Sequence, residues 1–342
     1  MAAALPNIQV LRGLAAMMVV VYHASGNAAR WGAGSQWQAG QAGVDVFFVI
    51  SGLVMAISAR KAENRNWRHF ALRRIERIVP MYWLATSVKL AAVLAGALLV
   101  GSRVDWVHAL CSYLFIPHRW ATGGVYPLLY VGWTLNFEMF FYLLFSIALA
   151  LRTSIVGFLT VAIVIFSVVG IYRPGDWPDA TTLFHPILCE FLLGVWIGRF
   201  MKSDLKIHAG LALPLMAISF LVICMAPVDL ATSWSRVVWW GFPGAVLVAV
   251  AAHFQAAPPR FWIVMGDASY ATYLWHGFVI SAATIVLYRM TPSLPVGALW
   301  LVSTIAACAL GGYLVHRWVE QRMTNFFKVR RIPALRGHIA RG

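Results

Sequence analysis

Apolar runs of roughly 20 residues, the length that crosses the hydrocarbon of a bilayer, recur along this chain from one end to the other. No soluble core needs that pattern, so the expected fold is all-α: a polytopic integral membrane helix bundle. Of 342 residues, 61% are hydrophobic and only 11% charged. With glycine, proline and charge clusters as punctuation, ten spans are expected, near 7–26, 42–59, 78–100, 129–151, 154–172, 182–201, 209–227, 235–253, 267–288 and 295–316. Arg12 sits inside the first run and no small-residue cleavage site precedes the next, so that run is expected to persist as a helix. WVHALCSYLFIP, from Trp106 to Pro117, is too short to span and is expected to lie at the outer interface or re-enter there.

The net charge of +15 raises the question of nucleic acid, but its distribution answers otherwise. Seven Lys/Arg fall between Arg60 and Arg77, and seven more between Arg317 and Arg341. If the first helix enters from the cytoplasm, alternation puts 19 Lys/Arg inside against 6 outside, which orients both termini toward the cytoplasm. Residues 1–320 then form the transmembrane unit and 321–342 a basic cytoplasmic tail against anionic lipid. Cys111, Cys189, Cys224 and Cys308 have no paired spacing, so neither a disulfide nor a metal site is inferred.

An ionisable group inside a span needs a partner, a wet cavity or a task. In LRGLAAMMVVVYHA, Arg12 and His23 are eleven residues apart, three turns plus about 20°, so they share a face about 16 Å apart along the axis. A snorkelling Arg12 and a His23 hydrogen-bonded between helices would fit the same spacing. GVDVFFVISG places Asp45 near the outer surface at a depth comparable with His23. There it either orients the imidazole or complements a helix N-terminus. WTLNFEMFFY carries Glu138 with Thr134 and Tyr142 one turn to either side, a polar stripe facing the bundle interior or a structural ion pair. SYATYLWHG presents Ser269, Thr272, Tyr273 and His276 on one side, either lining the same cavity or bonding between helices. Glu190 is read as structural, beside a small-residue packing face at Gly194 and Gly198. Arg73, Arg74 and Arg77 cluster at the mouth beside Arg12, where guanidinium groups suit phosphate oxygens and also satisfy the topology rule.

Ordered by depth, guanidinium groups stand at the inner mouth and a histidine with carboxylates nearer the outer face. That order suits a long donor with an anionic head and a reactive far end, the shape of a coenzyme A thioester. The motifs, in their order, resemble those of the membrane-bound acyltransferase-3 family. Arg12 to His23 resembles its R-x10-H motif, and Phe47, Phe48, Ser51 and Gly52 its FFxxSG element. Arg74, Arg77, Pro80, Tyr82 and Trp83 resemble its basic and Pro-Tyr-Trp element. Trp133 with Glu138, and Tyr273 with His276, resemble two later ones. The resemblance covers about residues 5–320 and implies a ten-helix O-acyltransferase of the bacterial inner membrane. It is similar to short members that acetylate exopolysaccharide and nodulation oligosaccharides.

The resemblance implies a catalytic set of His23, Asp45 and Glu138, with Arg12, Arg73, Arg74, Arg77, Ser51, Trp133, Tyr273 and His276 binding substrate. It also implies acetyl-CoA or another acyl-CoA as co-substrate, no tightly bound cofactor and no nucleic acid. The acceptor is expected to be a glycan or lipid-linked sugar. His23 acts either as general base on a sugar hydroxyl or as an acyl relay. Two other classes remain open: a transporter or flippase, and a non-enzymatic partner of a polysaccharide export complex.

Overall fold

The computed structural model describes residues 5–327, apart from 31, 33, 61–64, 101–103, 121–122, 202–204, 228–233 and 288–292. Lys61, Arg103, Arg289 and the basic residues from Lys328 onward therefore lie outside the described residues. The described chain is helical without strands. Its helices are α1 (Pro6–Ala29), α2 (Ala42–Ala59), α3 (Trp67–Val100), α4 (Trp106–Tyr113), α5 (Trp133–Ala150) and α6 (Ile155–Ile171). They continue as α7 (Leu188–Phe200), α8 (Ala209–Cys224), α9 (Trp234–His253), α10 (Arg260–Asp267), α11 (Ser269–Leu287) and α12 (Leu294–Phe327).

Seven of the ten expected spans are helices long and apolar enough to cross a membrane: α1, α2, α3, α9, α11, α12 and the stretch Tyr130–Ala150 that contains α5. The other three are helical but short. α6 has 17 residues, α8 has 16 and α7 has 13. In α7 the shortfall has a local cause: Asp179–Leu183 winds as a 3-10 turn and Pro186 precedes the helix, consuming the first turn of the expected span.

Helix α3 departs in the other direction. The span expected from residue 78 is preceded by eleven more helical residues, from Trp67, because Asn66 Oδ1 accepts from the backbone N–H of Arg68 (3.0 Å) and His69 (3.4 Å), an N-cap. Arg73, Arg74 and Arg77 therefore stand at fixed angles on a rigid element. The short α4 agrees with the interfacial expectation in shape: Trp106, Val107 and Leu110 are exposed, while His108 and Ser112 face inward. Tyr82 OH donates to the Ser112 carbonyl and Trp83 Nε1 to that of Tyr113, both at 2.9 Å, which ties α4 to α3.

Helix α2 is the axis of the bundle, packed by α1, α5, α7 and α9. Its crossing with α7 is close because both partners offer glycine. A Cβ on Gly52 would collide with the Phe191 carbonyl, and one on Gly194 with the Val49 carbonyl. Around that crossing Phe191 stacks between Phe48 (4.3 Å) and Phe141 (4.6 Å), joining α2, α5 and α7 in one aromatic core.

Candidate active site

Three cavities adjoin one another along the face of α1 that carries Arg12 and His23. The first, about 450 Å³, is a mouth lined by Arg12, Arg77, His316 and Glu320. The second, about 150 Å³, is walled by Arg12, Arg74, Arg77, Ser51, Glu138 and Tyr142. The third, about 380 Å³, holds His23 with Tyr22, Tyr130, Trp133, Arg236 and His185. Mouth and middle share Arg12 and Arg77; middle and outer chambers share Val44 and Tyr273. His23 thus lines the outer chamber, with Tyr273 in the neck of wall shared between it and the basic end.

Polarity changes in step with depth. At the mouth Arg77 pairs with Glu320 at 2.8 Å, and Glu320 also meets His316 Nδ1 at 2.8 Å. Arg12 donates to Gln9 at 3.1 Å. In the middle chamber the Nε of Arg74 is buried with no hydrogen-bond partner among the described residues, a guanidinium donor left for an anion. Glu138 accepts from Ser51 (3.0 Å) and from Tyr142 (2.5 Å). Arg73 does not line this chamber; its Nε donates to His69, one turn back on α3, at 2.8 Å.

At the neck Tyr273 OH donates to the Val131 carbonyl at 3.0 Å and lies 2.8 Å from Thr134 Oγ1. Beyond it the rings of His23 and His276 are 5.2 Å apart between centroids. The Nδ1–H of His276, fully buried, donates to the Tyr273 carbonyl at 2.7 Å. That bond fixes the tautomer of a neutral imidazole and leaves Nε2 as an acceptor.

Asp45 is placed differently from the expectation that it orients His23. Its two oxygens receive Nε and Nη2 of Arg236, both at 2.8 Å, in a forked pair whose side chains are 0% and 4% exposed. Arg236 also lies over Trp240, 4.8 Å from the ring centroid, and the buried Glu190 adjoins the pair. Arg236, counted as an outer-loop charge from sequence, is therefore buried at the start of α9 and lines the His23 chamber. The signal available was an arginine amid SRVVWWG, an apolar aromatic run that would penalise it unpaired. Glu138 likewise has no contact with His23 and belongs to the arginine-lined middle chamber.

The fold defines a multi-pass membrane protein in which adjoining chambers carry basic residues at one end and His23 at the other. A family model described as an acyltransferase domain matches residues 5–313, and the chain belongs to the acyltransferase-3 family. It is 34% identical over 318 residues to the exopolysaccharide production protein ExoZ of Rhizobium meliloti, covering 88% of this chain and 95% of that one. It is 22% identical over 379 residues to the O-acetyltransferase OatA of Staphylococcus aureus, covering 98% of this chain and 60% of that one. No solved structure matches it.

Proposed function

We propose that the protein moves an acyl group, acetyl by analogy with OatA, from a coenzyme A thioester to a hydroxyl of an exopolysaccharide glycan or its lipid-linked precursor. The observation that supports this reading is the shared walls of the three chambers, which set a basic mouth, a middle chamber and the His23 chamber in sequence. In it the chain threads a bacterial inner membrane ten times with both termini in the cytoplasm. Arg12, Arg74 and Arg77 hold the donor's phosphates, and the uncharged arm passes Tyr273 to bring the thioester to the outer chamber.

There His23 takes the proton of the sugar hydroxyl as its oxygen attacks the thioester carbonyl. The C–S bond breaks, an ester forms, and the thiolate leaves and is protonated. His276 is the supporting group in this scheme in place of Asp45: with Nε2 as acceptor it can hold an N–H of His23, leaving the other nitrogen free for the acceptor. Glu138 offsets the charge of the arginines and positions Ser51 and Tyr142. The ExoZ similarity supports the choice of acceptor class.

The test uses inverted membrane vesicles, labelled acetyl-CoA and a glycan acceptor, comparing wild type with His23→Ala inserted at equal levels. Label is expected in the glycan for wild type and absent for the variant. Full-rate transfer by the variant rejects the catalytic assignment, and glycan translocation without acylation favours a carrier.

A further inference from the structure

A fourth cavity, about 590 Å³, lies apart from the three chambers and shares no lining residue with them. Four arginines surround it: Arg60 after α2, Arg65 before α3, Arg152 after α5 and Arg199 at the end of α7. Its floor is apolar, with Phe145, Ala148 and Val195 wholly buried. Among the described residues no carboxylate lines it, and none pairs with any of the four arginines. Arg60 instead donates to the carbonyls of Gly198 and Arg199, capping α7 and fixing its own guanidinium at the rim.

Arg152 adds an independent observation. Its φ is 55°, the left-handed region at a helix C-terminus where glycine is the ordinary occupant. A long cation held there against backbone preference points to use of the side chain itself.

We propose that this cavity binds the head group of an anionic phospholipid. The phosphate and its neighbouring negative charge would meet the four guanidinium groups, and an acyl chain would lie on the apolar floor. The first turn of α6 lines the cavity with Ile155 and Val156. These two side chains extend the apolar floor on which the start of an acyl chain would rest. A coenzyme A donor does not fit, because among the described residues this cavity shares no wall with the chambers that lead to His23. Phe70, stacked on Phe145 at 4.8 Å and edge-on to Tyr142, packs between this cavity and the middle chamber. A zwitterionic lipid leaves the excess positive charge unmatched. The inference does not depend on the chemistry assigned to His23.

The test reconstitutes the full chain in nanodiscs of phosphatidylcholine with phosphatidylglycerol and measures retained lipid by native mass spectrometry after delipidation. Phosphatidylglycerol is expected to be enriched roughly tenfold or more over phosphatidylcholine, since each arginine favours the anionic head group. In Arg152→Gly/Arg199→Gln the enrichment falls to near one. Arg152→Gly alone, which suits the left-handed backbone, lowers it while keeping the thermal midpoint. Arg30→Gln, an exposed charge at the other end of α1, leaves it unchanged. Enrichment that persists in the double variant overturns the proposal, as does equal loss in Arg30→Gln. Displacement of the lipid by inorganic phosphate, with equal stabilisation, assigns a soluble anion instead and overturns the lipid choice.

Discussion

Replacing Asp45 by asparagine separates two roles that the outer half of the bundle could give it. If Asp45 orients His23, Asp45→Asn abolishes transfer and spares the fold. The geometry assigns it to Arg236, through two 2.8 Å bonds in a site with 0% and 4% exposure, so the variant is expected to lose stability instead. Removing one partner of a buried pair costs about 3–5 kcal/mol, because the remaining charge stays desolvated. Glu190 stands beside the pair and can ionise to compensate Arg236, which puts Asp45→Asn near the lower end. Adding Glu190→Gln removes that reserve and brings the cost to the upper end. At about 2 °C per kcal/mol for a chain of this size, the thermal midpoint in detergent falls by about 6 °C for the single variant and about 10 °C for the double. Transfer per folded molecule stays within a few-fold of wild type at temperatures well below the midpoint. An Asp45→Asn protein with an unchanged midpoint and no transfer would refute the reasoning and restore Asp45 to His23.

His276→Ala removes the acceptor beside His23 and is expected to lower kcat roughly 10²-fold with little change in KM for the donor; a KM effect alone would place His276 in binding. Gly194→Leu drives a side chain into the Val49 carbonyl at the α2–α7 crossing, and no properly folded protein is expected in the membrane fraction by size-exclusion profile. His108, outside the spans, is held below the ordinary histidine range, first by burial and then by His118, whose Nδ1 lies 3.3 Å from its own. A base whose folded pKa is depressed contributes full stability above its unfolded value, about 6.5, and loses it as pH falls through the lower folded value. His108→Asn should therefore flatten the acid limb of a midpoint-against-pH curve, and an unchanged limb would acquit this residue.

Much of the site is legible in the chain because local periodicity encodes it. The helical repeat alone puts Arg12 and His23 on one face, Glu138 beside Tyr142, and Tyr273 near His276; all but His276 line the chambers, and His276 packs behind them against the His23 ring. What the repeat does not encode is which helices meet. Asp45 and Arg236 are 191 residues apart, and only the packing of α9 on α2 brings them together. His276 next to His23 is likewise a matter of α11 lying against α1. The spans differ for a related reason: hydropathy measures where lipid is tolerated, whereas Asn66, Asp179–Leu183 and Pro186 decide where helices start. Arg73 shows the limit of composition, since a cluster of three arginines contributes two to the chamber and turns the third back along its own helix.

The neck at Tyr273 has an electrical consequence. A hydrated tube running from one side of an energised membrane to the other would let ions and protons short-circuit the gradient that the cell maintains. With its hydroxyl tied to Val131 and set against Thr134, the phenol is fixed in the wall between the middle and outer chambers, where it would interrupt such a tube. Under the proposed function, a catalyst whose donor and acceptor arrive from opposite faces can thus sit in the bilayer without becoming a leak.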